Sequence, residues 1–346
     1  MTPDRAALYA DLRENAFGFR RHTARPPAIG AEVELLAVDA ETRAPVPVCD
    51  PARPCTLPLL RAFGARHGWR EEASAYGAPR FVVPDGGVVS FEPGGQIELS
   101  APPCRSGTAL LRSLRDTVLP LRGELLDRGV ELLSLGVDPV NPLESVPLQL
   151  PGARYVRLTD FLESIGTGGI RMMRQTAAIQ ISLDWGPRPL ESWRFLNAAA
   201  PYLTAVFANS PVYRGADTGE RSFRARIWRE LDGGRTGLFP CGADPVEEYL
   251  EFALAAPAIL PPFPEGDYRP FAAWSAAGRA TLDDWRLHLT TLFPEVRPKG
   301  FVEVRSPDAV APEWYAAPLV LLAGSTYHAP SFREARALVG APDPEL

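Results

Sequence analysis

The chain has 346 residues, 46% of them hydrophobic and 23% charged, with a formal net charge of -6; this is a globular composition able to bury a large core, and it argues against a nucleic-acid surface. Of the 36 Lys and Arg residues only Lys299 is a lysine, and Gly300 and Phe301 follow it, which excludes a GxxxxGK[ST] phosphate loop and disfavours a kinase of the usual type, a Schiff-base enzyme or a Lys-rich membrane patch. Cys49, Cys55, Cys104 and Cys241 form no CxxC pair and His22, His67, His288 and His328 no HExxH, so no zinc site is expected; without an apolar signal core at the N-terminus or an apolar run long enough to span a bilayer, the expectation is a soluble, cytoplasmic protein with reduced thiols.

Residues 4–21 pattern as an amphipathic helix and 29–38 as a strand. Residues 40–56, rich in Pro and Asp, read as loop, and 57–68 as a short helix. Segments 81–83 and 88–91 flank Pro84-Asp-Gly-Gly87 as a hairpin. Pro93-Gly-Gly95 breaks the chain before a strand at 96–100. Residues 106–128 have the period of one helix, kinked by Pro120. Strands are expected at 130–137 and 176–185, and a helix at 190–208. Asp244-Pro245 and the capping box Thr281-Leu-Asp-Asp284 open two more helices. A strand at 301–305 and helices at 312–323 and 331–338 follow. Elements interleave without a βαβ rhythm, so the expected class is α+β with an antiparallel-rich sheet. Residues 261–270 are the best boundary candidate, read here as an ordered loop near the site.

Side chains alternate across a strand. Glu32 and Glu34 therefore share a face, as do Gln96, Glu98 and Ser100; Gln180, Ser182 and Asp184; and Glu303 and Arg305. Four strands thus pair an apolar face with an acidic or amide face almost without cations. Neighbouring carboxylates repel unless cations sit between them. Hard oxygen ligands suit Mg²⁺ or Mn²⁺, which suit a polyphosphate. A solvated acidic face explains any one strand; four together favour a metal site. Arg224, Arg226 and Arg235 supply the opposite sign, since bidentate Arg partners carboxylates and phosphates, although any one of them serves equally as a surface ion pair. Gly166-Thr-Gly-Gly169 reads as a turn, with a phosphate cradle as the alternative.

The segments IGAEVE (29–34), FEPGGQIELS (91–100), MMRQTAAIQISLDW (172–185), FANSPVYRG (207–215), SFRARIWRELDGGRTGLFP (222–240) and TLDDWRLHLTTLFPEVRPKGFVEVRSPDA (281–309) resemble the plant and proteobacterial type of glutamate–cysteine ligase, a family that includes the ergothioneine-pathway enzyme of actinobacteria. The resemblance implies a glutamine-synthetase-like fold: a curved antiparallel sheet with flanking helices and metals on its concave face. It implies a single catalytic domain over 1–346, C-terminally short relative to the family. It also implies a reaction. ATP phosphorylates the γ-carboxylate of L-glutamate, and the amine of L-cysteine attacks the acyl phosphate to give γ-glutamylcysteine, the first step of glutathione or ergothioneine synthesis. The alternatives are a glutamate ligase for another amine, or a non-catalytic ligand-binding relative.

Carried over by position, Glu32, Glu34, Glu92, Glu98, Gln180 and Glu303 are implied as ligands of Mg²⁺ or Mn²⁺ or their immediate surroundings. Arg305 is implied at the γ-phosphate, and Arg224 and Arg235 at glutamate or phosphate. Gln96, Ser100, Arg226 and Asp184 complete the expected substrate and ATP contacts. The implied partners are small molecules, with neither nucleic acid nor membrane among them. Where the family continues its last matching strand with Gly-Ala-Asp, this chain has Ser306-Pro-Asp308.

Overall fold

The strand β1 (Ile29–Asp39) turns Ala31, Val33 and Leu35 to one side, where they are buried, and Glu32 and Glu34 to the other. A computed structural model, describing residues 2–18, 27–74 and 77–342, places β1 at the centre of a nine-stranded sheet. Its other strands are β2 (Arg70–Glu72), β3 (Arg80–Val82), β4 (Val88–Phe91), β5 (Ile97–Ser100), β6 (Val130–Leu133) and β7 (Ile179–Leu183). A separate hairpin of β8 (Val212–Tyr213) and β9 (Ala216–Asp217) precedes the last two, β10 (Val296–Pro298) and β11 (Val302–Val304). The order is β10-β11-β7-β1-β5-β4-β3-β2, with β6 on the far half of β1. All pairings are antiparallel, as expected for the α+β class.

The helices are α1 (Arg5–Asp11), α2 (Thr56–Arg66), α3 (Gly107–Leu126), α4 (Ala153–Ile165), α5 (Gly168–Gln175), α6 (Pro189–Val206), α7 (Phe223–Arg229), α8 (Pro245–Ala255), α9 (Phe271–Ala276), α10 (Leu282–Leu289), α11 (Ala316–Tyr327) and α12 (Ala329–Val339). The main core joins the apolar sheet face, including Val33, Leu35, Ile97, Leu99, Ile181 and Val304, to Leu114 and Leu121 of α3, Trp193 of α6 and Leu319 of α11. A smaller cluster joins Leu158, Phe161 and Leu162 of α4 to Ile170 and Met173 of α5.

Several expectations change in detail. The helix expected at 4–21 is regular only to Asp11 and widens into a π-helical segment, Leu12–Ala16, with Phe17 N–H donating to Leu12 O at 2.8 Å. The wide turn brings both Leu12 and Phe17 into the core, Phe17 stacking on Trp185 at 5.6 Å. Residues 19–21 of that expectation lie outside the described residues. Helix α3 contains Pro120, as the single helix expected at 106–128 does. The strand expected at 130–137 stops at Leu133. Strands β2 and β10, the β8–β9 hairpin and helices α4, α5, α7 and α9 were not anticipated. Most are too short to show a period, and their apolar positions are matched by partners remote in sequence. No helix among the described residues is long and apolar enough to cross a membrane, and all four cysteines are free thiols.

Candidate active site

The register stacks the polar positions of four strands. Glu32 lies opposite Ser100 of β5 and Gln180 of β7; Glu34 lies opposite Glu98; Glu303 lies opposite Ser182. Above this face is a cavity of about 210 Å³. Its floor holds Glu32, Glu34, Glu98, Gln180, Glu303 and Arg305, with Glu92 and Gln96 joining from the β4–β5 turn. Helices α4, α5 and α7 supply the opposing wall through Tyr155, Leu158, Met172, Met173, Arg224 and Trp228.

The turn is set by Gly94. A Cβ there would stand 2.1 Å from Arg174 O, so the turn lies directly against the end of α5. Gln96 fastens the contact: its Nε2 donates to Thr176 O at 2.8 Å and its Oε1 accepts from Gly94 N–H at 3.0 Å.

Charge is divided unevenly. Glu303 accepts from Lys299 Nζ at 2.7 Å and from Arg305 Nη1 at 2.9 Å, with Arg297 3.7 Å away. Burial pushes its pKa up, but these cations outweigh burial and hold it at about 2. The other carboxylates go the opposite way. Burial, reinforced by Glu98 and Glu303, raises Glu32 to about 7; burial and Glu34 raise Glu98 to about 7, although Ser90 and Ser100 both donate to it. Glu92 is raised well above the ordinary range by burial and the same neighbours. Burial raises Glu34 too, against the pull of Arg224 and Arg305; it accepts from Ala178 N–H at 2.8 Å and Gln180 Nε2 at 2.7 Å. The polar face is therefore not almost without cations, as the strand patterns suggested. Lys299, Arg297 and Arg305 gather on Glu303, while burial and mutual repulsion favour the protonated forms of Glu32, Glu92 and Glu98.

Arg224 reaches the cavity from α7. Its Nη2 donates to Arg305 O at 2.9 Å and its guanidinium lies 4.4 Å from the Trp228 ring centroid. Asp308 anchors this wall. Its carboxylate accepts from Asn209 N–H and Ser210 Oγ, both at 2.7 Å, and from Ser222 Oγ at 3.0 Å. Ser222 caps α7, so the Asp of the Ser306-Pro-Asp308 segment locates the helix that carries Arg224.

Several expected residues fall elsewhere. Arg235 is buried outside the cavity. Its guanidinium is held by Asp232 at 3.1 Å, Thr291 Oγ1 at 2.8 Å and Pro257 O, and stacks over Phe161; burial lowers its pKa to about 10. Arg226 is on the outer side of α7, paired with Glu230 at 2.9 Å. Asp184 accepts from Ala28 N–H at 2.7 Å and ties the end of β7 to the start of β1. Ser100 reaches the cavity only through Glu98. Gly166-Thr-Gly-Gly169 turns between α4 and α5, where a Cβ on Gly169 would meet Leu162 at 2.5 Å; it packs helices and does not line the cavity. The 261–270 loop lies beside α4, with Arg157 donating to Phe263 O at 2.6 Å, and does not line it either. Arg154, Arg297, Lys299, Trp228 and Asp308 were not anticipated. Lys299 carried the one usable signal, as the only lysine in an arginine-rich chain.

The donor chemistry fits a hard divalent cation: buried carboxylates plus the Gln180 amide, with carboxyl pKa values raised by a repulsion that a cation relieves. The carboxylates are spread along the sheet. Among the described residues no three His, Cys, Asp or Glu side chains gather around one ion position.

Fold and cavity together define an α+β protein with a carboxylate-and-cation centre on an antiparallel sheet. The chain belongs to glutamate-cysteine ligase family 2, whose model matches residues 28–341, in agreement with the motif resemblance. It is 40% identical over 262 residues to the glutamate–cysteine ligase EgtA of Mycolicibacterium smegmatis, covering 71% of this chain and 61% of that protein. It is 31% identical over 248 residues to the chloroplastic glutamate–cysteine ligase of Solanum lycopersicum, covering 64% and 45%. The chain thus spans 61% of the length of EgtA and 45% of that of the Solanum lycopersicum protein. A solved glutamine synthase homolog aligns over 99% of this chain and 62% of its own at 12% identity and a TM-score of 0.36, too weak a likeness to build on.

Proposed function

We propose that the chain is an ATP-dependent glutamate–cysteine ligase, joining the γ-carboxylate of L-glutamate to the amine of L-cysteine through an acyl phosphate, in the cytoplasm and as one catalytic domain. The product, γ-glutamylcysteine, would enter glutathione or ergothioneine synthesis. The observation that carries this reading is that Glu32, Glu34, Glu92 and Glu98 line one cavity together with Arg224, Lys299 and Arg305. Membership of the glutamate-cysteine ligase family supports the choice of substrates.

Glu32, Glu34, Glu92, Glu98, Gln180 and Glu303 would hold Mg²⁺ or Mn²⁺. Such ions supply charge neutralisation and orientation for the phosphates. The protein's part is positioning. Arg305, held by Glu303 and Gln180, presents a fixed guanidinium to the transferring phosphoryl group. Arg224 and Lys299 add positive charge to the same cavity. The wall from α4, α5 and α7 limits water around a hydrolysable acyl phosphate.

The test is ADP release with Mg²⁺, glutamate and a panel of amines. Release that requires both glutamate and an amine, is fastest with cysteine and is abolished by EDTA is the expected result. Equal release without any amine would refute the ligase reading; a tenfold preference for another amine would leave the chemistry and change the acceptor.

A further inference from the structure

Arg224 lines the carboxylate cavity and is only 3% exposed. A charge taken so far out of water needs a compensating one. Its hydrogen bonds do not supply it: Nη2 and Nη1 donate to the carbonyls of Arg305 and Ser306, at 2.9 and 3.4 Å. The opposite charge comes from Asp308, whose carboxylate lies 3.8 Å from Arg224 Nη1, beyond hydrogen-bond reach. That separation has a cause. One Asp308 oxygen already accepts from Asn209 N–H and Ser210 Oγ, and the other from Ser222 Oγ. Gly136 closes the carboxylate in from another side, since a Cβ there would stand 2.4 Å from Asp308 Cγ.

Asp308 is therefore near enough to balance Arg224 and too committed to bind it directly. The neighbouring arginines show the contrast. Arg226 pairs with Glu230 at 2.9 Å and Arg235 with Asp232 at 3.1 Å, and neither lines the cavity. The same carboxylate also fixes the backbone that carries Arg224. Ser210 Oγ, which donates to Asp308, accepts from Arg224 N–H at 3.1 Å, and Ser222 is the N-cap of α7. Asn209 is stitched in turn to the 134–136 segment: its Nδ2 donates to Ser134 O at 2.9 Å and its carbonyl accepts from Gly136 N–H at 3.0 Å. Asp308 itself does not line the cavity.

We propose that Asp308 is a positioning residue for the reaction: a buried counter-ion that holds Arg224 in place as a cation without tying up its guanidinium in a salt bridge, and that acts on turnover only through Arg224. The proposal rests on the ligase reading, which gives Arg224 a substrate to meet. A carboxylate in this place does what a direct partner could not. It offsets the burial of the positive charge and leaves the charge for the cavity.

A double-mutant cycle tests it, read in kcat/KM for glutamate from ADP release with ATP, Mg²⁺ and cysteine saturating. Arg224→Ala is expected to lower this value by about 10²–10³, as removal of one fixed donor does. Asp308→Asn keeps the shape and loses the charge and one acceptor; it is expected to lower it by about 10², the effect of a misplaced catalytic group. Added to Arg224→Ala, Asp308→Asn should cost no more than about threefold further, whereas independent effects multiply. Ser210→Ala is the gentler disturbance, removing one donor to Asp308 and the acceptor for Arg224 N–H. It should lower kcat/KM by about tenfold alone and by about twofold or less beside Arg224→Ala. Thermal melts establish that each variant folds, and if Asp308→Asn does not, the Ser210→Ala cycle decides. Multiplying effects in the cycle make Asp308 a merely structural residue and overturn the proposal, as does wild-type kcat/KM in Asp308→Asn. Wild-type kcat/KM in Arg224→Ala also overturns it and leaves the ligase standing. If the wild-type protein neither binds the non-hydrolysable ATP analogue AMP-PNP nor releases ADP, the ligase reading itself has failed.

Discussion

Arg305 is the side chain on which the site's charge converges. One Nη serves both Gln180 and Glu303, the backbone N–H is fixed by Glu295 O, and the carbonyl holds Arg224. Burial works against its charge, but Glu303, Glu34 and Glu32 raise its pKa, so it stays cationic. Lysine would keep the charge and lose the planar, rigid guanidinium that these contacts orient. Arg305→Lys is therefore expected to lower kcat by about 10²–10³, the usual loss when one fixed donor to developing charge is removed. Binding of AMP-PNP, measured by calorimetry, should remain close to wild type. An unaltered kcat would make Arg305 a structural partner of Glu303 alone.

At the scale of elements, two short features separate catalysis from stability. Gly94 lets the β4–β5 turn lie against α5, and it is spacing rather than backbone conformation that demands glycine: the added Cβ would sit 2.1 Å from Arg174 O. Gly94→Ala must displace either the turn, with Glu92 and Gln96, or the end of α5, with Met172 and Met173. Overpacking of this kind costs about 1–3 kcal/mol. We expect a lower melting temperature together with a large loss of turnover. Thr281 is a contrast. It caps α10 in a reciprocal box with Asp284, accepting from Asp284 N–H at 3.2 Å while the Asp284 carboxylate accepts from Thr281 N–H at 2.8 Å. Thr281→Ala should cost about 1 kcal/mol in denaturant titration and leave kcat unchanged. Normal turnover in Gly94→Ala would show that the turn does not hold the site in place.

For the whole molecule, the carboxylate cluster makes stability depend on pH and on metal. A carboxyl whose pKa is raised on folding takes up protons relative to the unfolded chain. Its favourable contribution is complete below the ordinary value of 4.5 and is lost as pH rises through about 7, the value for Glu32 and Glu98. Glu303, held at about 2, has the opposite sign but acts only below 4.5. The metal-free protein should therefore melt several degrees lower at about pH 8 than at about pH 5.5. Glu98→Gln, which removes one of the repelling charges and keeps an acceptor for Ser90 and Ser100, should flatten that slope. Added Mg²⁺ should raise the melting temperature more at the higher pH, where it replaces protons. Scanning calorimetry with and without EDTA measures all three. A melting temperature that climbs from pH 5.5 to 8 and ignores Mg²⁺ would contradict the carboxylate cluster as a cation site.

Strand alternation alone put Glu32 with Glu34, Gln96 with Glu98, and Glu303 with Arg305 on common faces. It needs no partner information, because successive side chains leave a strand on opposite sides. The capping residues Asp244 and Thr281 were legible for a similar reason, since a cap is a contract between residues three apart. Tertiary structure decided which polar faces became one cavity, by placing β11 against β7 and β7 against β1. It also decided the fate of the arginines. Arg224, Arg226 and Arg235 look alike in the chain, yet one lines the cavity, one faces outward on the same short helix, and one is buried against Phe161 and Thr291. Those partners lie tens of residues away, and a helix of seven residues is too short for its inner face to be read from a period. The charge state of the cluster was hidden for the same reason. Desolvation and repulsion depend on distances across strands, and only the folded sheet brings Glu32, Glu34, Glu92 and Glu98 close enough to raise one another's pKa.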